Sequence, residues 1–313
     1  MQNHFSTEVQ PILLATHGMR DTDAAVGVAF DLSRDTGRPV KVVAVLEPAP
    51  IAASAYSFVV PVQAVWEDRR EALLERVRKQ INDAIGNDPG WPIDILTGSP
   101  PSAIADVAAL SNAALIVMGL GRHALIDRAL GSETTLHTLR CARTPVLAIP
   151  DAYAGTPTRA VVGSDFSATS LAAAQRAMAL LPDLTRIVLV QVAPRWDLQP
   201  GAYAGWRAEY ERAVAPGLEW LVRELAAPAS VTVTTEIREG KPTQELLTAA
   251  GDYAADVIVV GSKGLGFLDR MLVGSTASAI IRSAQIAVFA LPIAALAKQA
   301  SQPADEEVCA VGA

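Results

Sequence analysis

The chain has 313 residues, half of them hydrophobic and 5% aromatic, with 26 basic and 33 acidic side chains and a formal charge of −7. Such a length suits two domains of ordinary size, and the acidic balance with few aromatics argues against a nucleic-acid binder, which displays a basic face. Two cysteines, Cys141 and Cys309, make neither a disulfide framework nor a zinc site. Residues 1–10 are polar and no apolar run reaches the roughly 18 to 20 residues of a membrane helix, so residence in a reducing cytoplasm is the expectation.

In chain order, the first strand is expected at Ile12-Leu13-Leu14-Ala15-Thr16-His17 and the second at Val42 to Leu46. The uncharged segment Pro48 to Trp66 reads either as a partner surface or lid, or as a packed connection into a helix over Glu67 to Ile85. A third strand, Pro92 to Leu96, ends at Gly98-Ser99-Pro100. The fourth, Leu115 to Gly119, is followed by Leu125-Ile126-Asp127-Arg128 and Gly131-Ser132, and the fifth runs from Pro145 to Pro150. After a linker at Asp151 to Thr158, the same order returns: a strand Ala160 to Ser167 ending in Asp165-Phe166-Ser167, Ile187 to Val192, the connection and helix repeated over Ala204 to Leu225, and Val231 to Glu236. Gly240-Lys241-Pro242 then caps a helix from Thr243 to Ala250. Val257 to Val260 and Ala284 to Ala290 complete the set. Continuous β-branched runs of this kind belong to parallel strands covered on both faces.

Gly119 precedes Gly261 by 142 positions and His17 precedes Asp165 by 148, so the chain is a tandem duplication of one α/β unit. Solenoid repeats are far shorter, about 20 to 50 residues. Two doubly wound five-stranded parallel sheets are expected, over 1–152 and 156–294, with 295–313 as a frayed tail.

The chemistry concentrates after the second unit's fourth strand. Gly261-Ser262-Lys263-Gly264 is followed by Gly274-Ser275-Thr276, which opens a helix expected over Ala277 to Ser283. Glycines let the backbone approach a ligand closely, and a helix start aims free amides and a positive dipole end at one point. That arrangement suits an anion.

The G-x2-G-x9-G-S spacing resembles the nucleotide-binding signature of the universal stress protein family, and Asp165-Phe166-Ser167 is similar to the end of that family's first strand. The resemblance covers residues 158 to 292. It implies an adenine-nucleotide alpha-hydrolase-like fold and an ATP site, with or without Mg²⁺. Asp165 and the Val192 backbone would then line the adenine and ribose pocket. Gly261 and Gly264 would lie against ribose and phosphates, and Gly274, Ser275 and Thr276 would donate hydrogen bonds to phosphate oxygens. Lys263 either adds charge or is a solvated loop residue, and Asp269-Arg270 is either a catalytic pair or a structural ion pair.

The first unit departs from this pattern. His17 stands where the second unit has Asp165, and aligning the Asp-Arg pairs sets Arg122, next to His123, opposite Gly264. The first site is therefore expected to be degenerate, or else to recruit an anion by charge. His17 reads more readily as a hydrogen-bonded structural residue than as a ligand. No Walker aspartate, carboxylate cluster or nucleophile triad is apparent. Three functions stay open: an ATP-binding regulatory stress-response module, a slow ATPase, and a nucleotide-free scaffold. Members of the family commonly dimerise through strand five, so the resemblance implies that the two units pack as a pseudo-twofold pair along 146–149 and 286–289. A homodimer of whole chains is left undetermined.

Overall fold

The computed structural model describes residues 9–48, 62–120, 128–195, 205–262 and 273–299. The first unit comprises β1 (Ile12–Ala15), α1 (Asp23–Thr36), β2 (Val40–Leu46), α2 (Val62–Ile85), β3 (Ile93–Thr97), α3 (Pro100–Leu110), β4 (Leu115–Gly119), α4 (Arg128–Cys141) and β5 (Val146–Ile149). The second repeats it as β6 (Arg159–Ser164), α5 (Ala168–Leu180), β7 (Arg186–Ala193), α6 (Trp206–Leu225), β8 (Thr232–Glu239), α7 (Pro242–Asp252), β9 (Val257–Gly261), α8 (Ser275–Ser283) and β10 (Ala287–Leu291), followed by α9 (Ala294–Gln299).

Within each unit all strands pair in parallel. The two units do not keep separate sheets. β5 and β10 pair antiparallel, with Val288 opposite Ala148, Phe289 opposite Leu147 and Ala290 opposite Val146. These are the two segments expected at the seam. The result is one ten-stranded sheet in the order β3-β2-β1-β4-β5-β10-β9-β6-β7-β8, which reads the same from either edge once β6 to β10 are matched to β1 to β5.

Helices cover both faces, and each hydrophobic cluster runs across the seam. One face joins Val26 and Leu32 of α1 and Val77 of α2 to Ala173 of α5 and Leu221 of α6. The other joins Ile104 of α3 and Leu136 of α4 to Leu246 of α7 and Ile280 of α8. Because the strands are buried on both faces, their apolar runs are continuous rather than alternating. The duplicated turns follow the same logic. Gly98 and Gly240 adopt φ of +144° and +150° just before helices with proline in the first turn, positions at which glycine and proline are each favoured.

The expected tail needs correction. Its first residues form α9, because Ala295 is buried and Leu296 packs against the core. Residues 300–313 lie outside the described set. The linker is also tied down: Asp256 accepts hydrogen bonds from the Thr158 amide (2.9 Å), the Thr158 hydroxyl (2.8 Å) and the Arg159 amide (2.9 Å). Of the 48–66 segment, residues 62–66 belong to the first turns of α2, and 49–61 lie outside the described residues.

Candidate functional site

At the carboxyl ends of β6, β7 and β9 a cleft of about 290 Å³ opens between the sheet and the starts of α7 and α8. Carboxyl ends of parallel strands are where open α/β sheets bind ligands. Asp165, Val192, Gly261, Gly274, Ser275 and Thr276 line it together. Gly264, Lys263, Asp269 and Arg270 fall outside the described residues, as do Arg122 and His123 in the first unit.

The loop leaving β6 is held by a chain of short-range bonds. The Ser164 hydroxyl accepts from the Phe166 amide (3.2 Å), Asp165 Oδ1 accepts from the Ser167 amide (3.1 Å), and the Ser167 hydroxyl caps α5 by accepting from the Ser170 amide (3.1 Å). Phe166 sits at φ +61°, a left-handed conformation uncommon for a bulky residue. Its ring lies against Gly217 of α6, where a Cβ would come within 3.0 Å of it. Gly18, the matching residue of the first unit, has φ +79°. The turn is thus common to both units, and only the second fills it with an aromatic ring.

The second wall depends on Ser262. Its amide donates to the Leu291 carbonyl (2.8 Å), its hydroxyl accepts from the Ile293 amide (2.8 Å), and its carbonyl accepts from the Gly274 amide (2.6 Å). That last bond draws together the two ends of the glycine loop. In this structure the Gly274 amide, expected to donate to a phosphate, donates to Ser262. Gly274 is instead the cap of α8, which begins at Ser275 rather than Ala277. The Ser275 and Thr276 amides, in the first turn, have no helical partner by geometry. Gly261 is required by packing, since a Cβ there would meet Thr169 Cγ2 at 2.8 Å.

Sequence reasoning missed several lining residues, among them Ser164, Ser170 and Gln191. Ser164 directly precedes Asp165, and Ser170 lies one helical turn after the cap Ser167, so both were readable from spacing. Gln191 was not: it donates to the Tyr210 hydroxyl of α6 (3.3 Å), a contact between separate elements.

In the first unit the matching loop is knotted by a buried glutamine. Gln80 of α2 accepts from the Thr16 hydroxyl (2.7 Å) and donates to the Met19 carbonyl (2.6 Å), Thr22 Oγ1 (2.7 Å) and Asp23 Oδ1 (2.9 Å). His17 lies 3.3 Å from Asp21, and its carbonyl accepts from Arg76 (3.2 Å), which fits the structural reading of this histidine.

The fold and cleft define a tandem, doubly wound α/β protein with a ligand-type crevice in its second unit. The Universal stress protein family model matches residues 8–150 and again 157–292, and the chain belongs to that family. It is 33% identical over 135 residues to universal stress protein MJ0531 of Methanocaldococcus jannaschii, covering 41% of this chain and 78% of that one. It is 24% identical over 285 residues to a universal stress protein of Mycolicibacterium smegmatis, covering 89% and 95%. Among solved structures, a universal stress protein from Archaeoglobus fulgidus DSM 4304 shares the fold at a TM-score of 0.57 and 19% identity, over 90% of this chain and 95% of that one.

Proposed function

We propose that the second unit binds one adenine nucleotide, ATP, and that the chain acts as a nucleotide-responsive regulatory module of a stress response. The observation that carries this reading is the convergence of Asp165, Val192, Gly261, Ser275 and Thr276 on one cleft at the strand ends. The helix start at Ser275 supplies amides for an anion, and Asp165 and the Val192 backbone would then line the ribose and base. Gly261 would meet the nucleotide with its backbone in the same cleft. The first unit, with Gln80 knotting its loop and His17 at the aspartate position, is left out of the binding role. In this reading Mg²⁺, where present, accompanies the phosphates.

The test is to denature gently purified protein and identify released nucleotide by chromatography and mass spectrometry. Titration calorimetry should then give one site per chain. Absence of nucleotide together with no titratable ATP binding would leave the scaffold reading in its place.

A further inference from the structure

The outer edge of β8 closes one side of the ten-stranded sheet. The direction of its backbone groups follows from two bonds. The Thr232 amide donates inward to the Thr185 carbonyl (2.8 Å), and the Gly240 amide donates inward to the Ala193 carbonyl (2.9 Å). Amides alternate along a strand. Even-numbered residues of β8 therefore bond β7, and the amides and carbonyls of Thr235, Ile237 and Glu239 point outward.

The side chains add a second pattern. Glu236 and Arg238 share one face and form an ion pair (2.9 Å), with Arg238 also reaching Asp252 of α7 (2.6 Å). On the other face Ile237, with Leu218 and Val222 of α6, lines a groove of about 750 Å³. Val222 is one of the large apolar residues left exposed.

Glu-Ile-Arg is self-complementary when a strand meets a copy of itself antiparallel. Centred on Ile237, the pairing sets Ile237 opposite Ile237, Glu236 opposite Arg238 and Arg238 opposite Glu236. A twofold interface requires such reciprocity. The outward groups fit this register: Ile237 with Ile237 becomes the central hydrogen-bonded pair. Glu236 and Arg238 then fall at the non-hydrogen-bonded positions, where side chains approach more closely. The opposite edge lacks this property. β3 has five residues, its Asp94 is paired with Lys41 (2.9 Å), and a twofold centred on Ile95 would set Asp94 against Leu96.

We propose that β8 is a self-pairing edge through which two copies of this chain join antiparallel about Ile237, continuing the sheet across the twofold. An unpaired strand edge is a template for such addition. The proposal is independent of nucleotide binding.

Sedimentation velocity over a concentration series tests it. The full chain should show a concentration-dependent species of twice the monomer mass. Ile237→Pro deletes an outward amide and no β7 bond, so it should stay folded by circular dichroism and remain monomeric. Glu236→Arg and Arg238→Glu should each weaken the dimer, by about 2- to 30-fold for two cross-strand pairs. Mixing these two variants opposes cations to carboxylates again and should restore association. A chain that stays monomeric up to its solubility limit overturns the proposal. So does a dimer that survives in folded Ile237→Pro. If that variant does not fold, the mixture decides: no gain over either charge variant alone refutes the register.

Discussion

At single positions, what surrounds a glycine sets the cost of replacing it. A Cβ on Gly119 would meet Thr22 Cγ2 at 2.5 Å and the Thr22 Cα at 3.2 Å, and Thr22 is bound to Gln80 and Thr16. The nearest atoms a Cβ on Gly163 would meet are the end of the Leu246 side chain, at 2.9 Å, and no backbone. Gly119→Ala should therefore cost about 1–3 kcal/mol, clearly more than Gly163→Ala. Urea unfolding of both variants measures the contrast, and equal costs would remove the distinction. In the cleft, Ser275→Ala deletes a hydroxyl donor. If that hydroxyl meets a charged phosphate, ATP affinity should drop roughly ten- to 150-fold by calorimetry with the melting temperature of the free protein little changed. The glycines and serines that line the cleft were legible because these residues at helix starts have local meanings. The Gly274–Ser262 bond and the Gln80 knot were not, since each depends on a partner supplied by tertiary packing.

Among elements, α8 connects the cleft to the first unit. It starts at the cleft with Ser275, and near its end Arg282 donates to Glu133 of α4 from Nη2 (2.6 Å) and Nε (3.0 Å). The guanidinium holds the Glu133 carboxyl below its usual value of 4.5. A depressed carboxylate stabilises the fold above its unfolded pKa, and that contribution disappears as pH falls through the folded value. Both side chains are substantially exposed, so the pair is worth less than about 1 kcal/mol. Arg282→Ala should accordingly lower the denaturation midpoint slightly at pH 7, and by progressively less as the pH falls below 4.5. A variant effect that stays the same size as the pH is lowered would mean that Arg282 acts through packing alone. Strands were the most readable elements, because burial on both faces leaves unbroken runs such as Val257 to Val260. Ends were less so: α9 was lost in an alanine-rich stretch whose apolar contacts, Ala295 and Leu296, only the folded core explains.

For the molecule as a whole, the seam and both hydrophobic clusters span the two units, so the two cores are continuous on each face of the sheet. Heating should give one cooperative transition in calorimetry rather than two. Phe289, fully buried in β10 opposite Leu147, is the test position. Phe289→Ala should cost about 3–5 kcal/mol and shift that single transition downward; two separate transitions in the unaltered protein would show independent units. Residues 1–152 made alone would expose the β5 edge and should self-associate, as bare edges do. The antiparallel seam has one more consequence. Because β5 and β10 run in opposite directions, the carboxyl ends of the two parallel sets lie on opposite rims of the sheet. A body captured on one rim leaves the other rim pointing away from it, so the chain has the geometry of a bridge with a differently built landing at each end.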